Sequence, residues 1–433
     1  MTPQSDFMVL GIIIPEREAD LRRLLESMND APGQVNPNNA LLPFGQFETV
    51  HVARFVILKD NSPDDVRIFG LPRRDYPLYL AFLGNVDGDA DAFLEDVARR
   101  ASPGLRSIFS CCKGLTSETD LVDWMKRNSR FPAAAYTNWL GRTVTRIRED
   151  AALREALEKH VQANAFALAG LPPKEVHAAL RRFVDAERTA GRLALSPESP
   201  TPLNWRIDNL LRLIGPPLLT LFASPILIPV GIVFLARIRR LEKTDPDLAV
   251  RVEQAYSDGL AKFEDHDVTN QFSIMGSIKP GPVRLWTAIF ILRLVDYFAR
   301  HVYNRGRFAR IRTIHFARWV FLDDRKRMAF FSDYDGSFES YMDDFINKVG
   351  FGLNVVFSNF IGYRRTNWLI FDGCADEPKH KELERHHTIA TQAWYKAYPG
   401  LTAVDLERNI RIRRGIESPS MGDKEAREWA ALL

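Results

Sequence analysis

Two kinds of apolar spacing alternate along this chain. Residues 7–15, 51–58 and 76–85 are short runs of aliphatic, β-branched and aromatic side chains, the composition of strands. Leucines at 21, 24 and 25 mark a helix over 16–28. Ala90, Phe93, Leu94, Val97, Ala98 and Ala101 fall at helical intervals and define one face of a second helix. A strand over 133–139 ends this series. Far downstream, Phe338, Tyr341, Met342, Phe345, Ile346 and Val349 repeat the helical face, with Ser337 as N-cap and Glu339 in the first turn. A strand over 389–398 then repeats the ending. The pattern predicts β-α-β-β-α-β, twice.

Identities support the duplication. Residues 51–60, HVARFVILKD, align with 315–324, HFARWVFLDD, at six of ten positions, including His51/His315, Ala53/Ala317 and Arg54/Arg318. Residues 80–97 align with 328–345, anchored by Asp87-Gly88 and Asp335-Gly336. Residues 133–143 align with 390–402 through Tyr136/Tyr395, Gly141/Gly400 and Thr143/Thr402. Order and approximate spacing hold across all three blocks, the mark of an internal repeat. The expected domains are 1–150, a first copy; 151–265, a helical insert; and 266–433, a second copy with a C-terminal helix.

The predicted order is the ferredoxin-like arrangement, which covers one sheet face with helices and leaves the other in need of a partner. The chain resembles tandem proteins of the dimeric α+β barrel superfamily over about 7–150 and 268–415. It is also similar to a bacterial family of tandem proteins, a likeness that implies the fold and no chemistry. The resemblance implies an α+β fold in which two ferredoxin-like repeats pack as a pseudo-dimeric barrel. It further implies a ligand between the sheets, often heme, held by a proximal His with Arg or Asp assisting peroxide cleavage. Gly84-Asn85-Val86-Asp87-Gly88 fits the GxxDG motif of dye-decolourising peroxidases, although Ser332 replaces its first glycine in the second copy.

The middle of the chain differs. Helices over 151–164 and 172–192 are separated by Gly170-Leu171-Pro172-Pro173, and 196–202, SPESPTP, reads as a linker. Residues 213–236 then carry no charge over 24 positions, with Arg212 before them and Arg237, Arg239 and Arg240 after. Their length suits a membrane span. Pro216, Pro217, Pro225 and Pro229 should break a helix there, however, and one crossing would part the two copies. A re-entrant or interfacial hairpin with both ends on one side is expected. Residues 283–299 are also strongly apolar and lead to Arg300, Arg305, Arg307, Arg310 and Arg312, a combination suited to an anionic membrane surface. The alternative is a buried helix with a solvated basic end, and a hairpin packed between domains.

Composition narrows the rest. Lys and Arg number 58 against 55 Asp and Glu, a net charge of +3, which argues against nucleic acid as a partner recruited by charge. Three cysteines, two of them adjacent, exclude a disulfide scaffold. The first eleven residues lack a secretion signal, so the cytoplasmic side of an inner membrane is the expected location. No CxxCH, HExxH, P-loop or GxSxG occurs.

The candidate site is therefore the duplicated motif. If heme is bound, His315 is the axial ligand, with Arg318 and Asp335 as catalytic neighbours and His51, Arg54 and Asp87 as the matching cofactor-binding set. Strand alternation puts His51, Ala53 and Phe55 on one side and Arg54 on the other. The competing reading is structural: a His–Arg pair locks each Asp-Gly turn, with Asp87, Asp335 or Glu339 as the arginine's counter-ion. His386 and His387, adjacent on a helix, are expected to face different directions, and Asp265-His266-Asp267 to be a solvated linker. Residues 363–368 read as a headgroup clamp or a cover, and Trp394, Tyr395 and Tyr398 as core. Two functions compete: a membrane-associated, heme-dependent oxidoreductase acting on an apolar or lipid substrate, and a non-catalytic binder of lipid or another apolar ligand.

Overall fold

The computed structural model describes residues 1–61, 63–247 and 251–433. Its first half runs β1 (Gln4–Ile12), α1 (Glu18–Glu26), β2 (Val50–Leu58), β3 (Tyr79–Asp87), α2 (Ala90–Arg100) and β4 (Ala134–Thr137). The insert contributes α3 (Val144–Ala163) and α4 (Leu203–Glu242). The second half runs β5 (Thr269–Ser277), α5 (Pro282–His301), β6 (Ile314–Leu322), β7 (Arg327–Asp335), α6 (Phe338–Phe357), α7 (Glu377–His387) and β8 (Thr391–Lys396), and ends with α8 (Ala403–Glu417) and a last helix, Asp423–Ala430.

These strands form two open sheets in a mixed α+β fold. The first has the order β1-β3-β2-β8, extended by Gln34–Val35 and Asn29–Ala31; the second has the order β4-β6-β7-β5. The last strand of each half was expected to close its own unit, and it does not. Residues 128–130 start along β1, where Leu10 N donates to Asn128 O (2.9 Å) and Arg130 N to Met8 O (2.8 Å). The chain then crosses, and β4 pairs with β6 of the other half, Ala135 opposite Arg318. The second half mirrors this: Ile389 N donates to Ser273 O on β5, after which β8 pairs with β2, Trp394 opposite Arg54. Each final strand thus covers the edge that the other half leaves open.

Both sheets are buried on both faces. Leu21 and Leu25 of α1 and Phe93, Leu94 and Val97 of α2 pack on Phe7, Phe55 and Phe82 outside the first sheet. Tyr341, Met342 and Phe345 of α6 pack on Phe272, Trp319 and Phe330 outside the second. The inner faces meet through Met8, Val56, Leu58 and Leu83 on one side and Met275, Val320, Leu322 and Phe331 on the other. Ser337 caps α6 by accepting from Ser340 N, and Asp89 caps α2 by accepting from Asp91 N. Among the insert's helices, α3 and Pro173–Thr189 pack on α8 and the last helix through Leu153, Leu157, Leu180, Ile412 and Trp429. The three cysteines are buried and free.

The proline-rich segment departs from expectation. It is one helix of 40 residues with four internal prolines, not a broken hairpin. A helical proline frees the carbonyl four residues earlier, and for two of the four prolines a side chain replaces the lost donor. Tyr297 Oη donates to Leu213 O (3.0 Å), freed by Pro217, and Ser224 Oγ donates to Leu221 O (2.7 Å), freed by Pro225. Both ends of α4 rest on the same body. At its start Asp208 pairs with Arg300 near the end of α5 (2.9 Å). At its end Glu242 accepts from Thr366 Oγ1, Trp368 N and Leu369 N, and Asp245 pairs with Arg284 and Lys279 near the start of α5. Its most apolar stretch is unburied throughout.

Candidate functional site

The duplicated residues build the same construction twice. A bulge between Val50 and Val52 in β2, matched by one between Ile314 and Phe316 in β6, breaks the strand alternation. His51 therefore does not follow Ala53 and Phe55 toward the helices, as simple alternation predicts. It faces the space between the sheets, with Phe316 at 5.6 Å and Tyr398 at 5.9 Å between ring centroids. Its Nε2 is hydrogen-bonded to Asp87 Oδ1 (2.9 Å), and its Nδ1 lies 3.3 Å from the Tyr398 hydroxyl. His315 Nε2 is likewise hydrogen-bonded to Asp335 Oδ1 (2.6 Å).

Each aspartate also holds the helix that follows the last strand. Asp87 accepts from Val144 N (2.9 Å), the first amide of α3, and Asp335 accepts from Ala403 N (2.6 Å), the first amide of α8. Negative charge at a helix N-terminus meets unpaired amides and the positive end of the dipole. The glycine after each aspartate turns the chain out of the strand in the left-handed region (φ +82° at Gly88, +87° at Gly336), where a side chain is disfavoured. Thr143 and Thr402, matched in sequence, are the N-caps of these two helices. The Asp335 carboxyl is affected first by burial, which raises it; the His315 charge and hydrogen bonds from His315, Ala403 and Thr269 outweigh this and hold it below the usual range.

The arginines do something else. The expected counter-ions, Asp87, Asp335 and Glu339, are not their partners. Arg54 reaches across to the second sheet, 3.3 Å from Asp333, and Arg318 reaches across to the first, 3.0 Å from Asp6 and also bonded to Asn85 Oδ1. Burial pulls the Arg54 guanidinium down to about 10 and pushes the Asp333 carboxyl up, against the mutual attraction of the two. Asp6, Asn85 and Asp333 were not singled out in the sequence because pairing across two sheets has no spacing signature. Tyr398, Thr269 and Lys396 complete the cluster: Lys396 Nζ donates to Thr269 Oγ1 (2.6 Å), and Thr269 Oγ1 donates to Asp335 (2.7 Å).

This arrangement does not fit a heme. An axial histidine needs a free ring nitrogen facing an open slot. His51 and His315 are 1% and 2% exposed, and the Nε2 of each is committed to a carboxylate. Gly84 of the GxxDG match serves packing: a Cβ there would stand 2.2 Å from Val52 O and 2.7 Å from the Phe7 ring. Asp87 reaches the wall of a cleft of about 330 Å³, also lined by Met1, Glu48, Arg146 and Glu198.

Other sequence candidates are also occupied. Asp267 bonds Lys396 and Gly400 N, and His266 Nε2 donates to Lys262 O. Arg365 donates to Asp245 O and Arg364 pairs with Asp247, so 363–368 fastens the end of α4. Trp394 packs between the sheets with Val52 and Phe316.

One grouping was not expected. His386 and His387 have perpendicular rings, as expected, yet one ring nitrogen of each and one Asp65 carboxylate oxygen lie within 4.8 Å of one another. His387 Nδ1 donates to Leu383 O and its Nε2 pairs with Asp65 (2.9 Å). One and two turns of α7 away stand Glu384, pushed by burial to about 7, and His380, pulled by burial to about 4. Asp65 lies more than 300 residues earlier, beyond the reach of any local motif.

Comparison with protein-family models, curated proteins and solved structures gave no match.

Proposed function

We propose that this chain is a monotopic protein of an anionic membrane surface with a non-catalytic, lipid-binding role. In this reading the body is a pseudo-dimer of two ferredoxin-like repeats that exchange part of their last strands. The matched His–Asp–helix constructions and the reciprocal strand pairings support that architecture.

One observation carries the membrane reading. Residues 213–236 are uncharged and exposed, with Leu219 71% and Phe222 80% accessible, while both flanks are fixed to one folded body. Contiguous exposed apolar surface of this size marks an interaction site. A helix held at both ends by the same body favours lying in one leaflet over crossing it. Trp286, Phe290, Leu294, Phe298 and Val302 add an exposed stripe along α5 at intervals of four. Exposed Arg305, Arg307, Arg310 and Arg312 follow that stripe, and suit the anionic cytoplasmic leaflet. The lipid-oxidising alternative loses its support, because the residues it needs are committed to holding strands and helices.

Flotation tests the proposal. Wild-type protein should rise with phosphatidylcholine vesicles, more strongly when phosphatidylglycerol is included, and resist a carbonate wash. Leu219→Glu with Phe222→Glu, both far from the folded body's contacts, should remain at the bottom of the gradient. A wild type that does not float, or a variant that floats equally, overturns the reading. Purified protein supplied with hemin should show no Soret band; a band would reopen the oxidoreductase.

A further inference from the structure

A cleft of about 590 Å³ opens where residues 71–78 face the start of α5 and the β6–β7 hairpin. Seven cationic side chains and two carboxylates line it, among the described residues. At its floor is Arg327, 1% exposed. Its Nε donates to Asp323 (2.5 Å), its Nη1 lies 3.5 Å from Asp60, and its guanidinium stacks 4.1 Å from the Tyr76 ring centre. The remaining nitrogen, Nη2, is buried with no partner. A buried donor left unpaired costs about 1–3 kcal/mol, more when charged, so this atom calls for an acceptor.

A second feature borders the same cleft. The α5 helix begins on the cleft wall at Gly281 and Pro282, with no capping side chain. Pro282 has no amide hydrogen and Leu285 N donates to Gly281 O (3.3 Å), so Val283 N and Arg284 N are the amides at this helix start without intrahelical partners, an arrangement that favours an anion. Buried Lys279 also lines the cleft; burial pulls it down to about 8 although Asp245 lies 2.8 Å away. Exposed Arg74, Arg325 and Lys326 form the rim.

We propose that this cleft binds a phosphoryl group, with Arg327 Nη2 and the α5 N-terminus as its inner donors and the rim cations as its outer field. The geometry suits a tetrahedral dianion, because Arg offers a directed N–H while the helix end supplies further donors. Leu285 lines the cleft, and Trp286 beside it starts the exposed apolar stripe of α5. A lipid phosphate could therefore sit in the cleft with its chains along that stripe. The phosphate site itself stands apart from the membrane reading; only a lipid source depends on it.

The test uses the full chain and two probes. Calorimetric titration with glycerol 3-phosphate, with glycerol as control, addresses the soluble anion. Flotation on phosphatidylcholine vesicles with and without a tenth of phosphatidic acid addresses the lipid. Arg327→Lys keeps a cation beside Asp323 and Asp60 but removes Nη2. Arg74→Gln with Arg325→Gln alters only exposed positions and leaves the buried network intact.

Glycerol 3-phosphate should bind, and Arg327→Lys should weaken it about tenfold, as expected for loss of a charge-assisted hydrogen bond. The rim pair should weaken it about threefold by the same scale. A gain in flotation with phosphatidic acid, lost in Arg327→Lys, identifies a lipid phosphate; soluble binding without that gain identifies a free one. If glycerol 3-phosphate gives no heat and phosphatidic acid no gain, or if neither variant changes either readout, the proposal is overturned. Failure to float on phosphatidylcholine alone would count against the membrane reading and leave the soluble titration decisive for this one.

Discussion

Arg54 and Arg318 cross the space between the sheets in opposite directions and bond corresponding places in each other's half. Arg54 donates to the carbonyls of Phe272 (3.3 Å) and Ser332 (3.5 Å). Arg318 donates to the carbonyls of Phe7 (2.8 Å) and Gly84 (2.9 Å). Phe7 and Phe272 lie in the first strand of each half, and Gly84 and Ser332 each stand three residues before the Asp of the Asp-Gly turn. Two strand arginines thus act as reciprocal staples, and each brings a carboxylate from the facing sheet into range. Buried charges of this kind lose several kcal/mol of hydration each, and removing one partner leaves the other charge uncompensated.

Arg54→Met should accordingly destabilise the chain by about 3 kcal/mol or more, because it strands Asp333 without its nearer counter-ion. Adding Asp333→Asn should recover part of that loss, since the uncompensated charge is then gone. Urea denaturation of the single and double variants measures both effects. Purely additive losses would show that Asp333 does not depend on Arg54.

Asp335 joins β7, β6 and α8 through one carboxylate, so Asp335→Asn should cost about 3 kcal/mol near neutral pH. Its folded-state value lies below its unfolded value, so its contribution is present above the ordinary carboxylate range and disappears as pH falls through the folded value. The difference in melting temperature between wild type and Asp335→Asn should therefore be large at pH 6 and shrink toward pH 3. A constant difference would mean that charge is not what holds these elements.

The repeated motif was legible because its residues serve matched local roles. His, Asp, Gly and Thr recur at spacings set by one strand, one turn and one helix start, so the same physics selects the same letters twice. The face of α2 and of α6, and the Ser337 cap, follow from periodicity alone. Which side His51 faces was not legible, because one bulge residue inverts the strand's alternation without any change in composition. Nor was the continuity of α4: prolines announce lost hydrogen bonds, but the replacement donor Tyr297 comes from a helix about 80 residues later. The partners of Arg54 and Arg318, and the meeting of Asp65 with His386 and His387, depend on how distant segments pack.

Glu384 and His380 give the α7 region opposing pH dependences. Glu384 has a folded value of about 7, above its unfolded value, so its share of stability falls as pH rises from about 4.5 to about 7. His380 has a folded value of about 4, below its unfolded value, so its share rises as pH climbs from about 4 to about 6.5. Between about pH 4.5 and 6.5 the two nearly cancel, each on the order of 3 kcal/mol. Glu384→Gln should expose the His380 slope, giving stability relative to wild type that improves with pH. His380→Leu should expose the opposite one. Thermal melts from pH 4 to pH 8 read both; parallel curves for the three proteins would contradict the assignment.

The exchanged strands make each half's sheet incomplete without the other. Removing β8 would leave the edge of β2 open from Val52 to Val56, and removing β4 would do the same to β6 from Phe316 to Trp319. Open edges of this apolarity favour aggregation over independent folding. Fragments 1–199 and 200–433, divided in the irregular segment between the helix Pro173–Thr189 and α4, should therefore be insoluble or poorly cooperative when expressed apart. Expressed together, they should co-purify as a one-to-one complex, because the split leaves both crossing segments and both arginine staples intact. Variants of β4 that place lysine at Ala134 and Tyr136, which are buried against β6, should abolish that association. If 1–199 alone were a monomer with a sharp unfolding transition, its last strand would be pairing within its own half, and the exchange described above would not hold in solution.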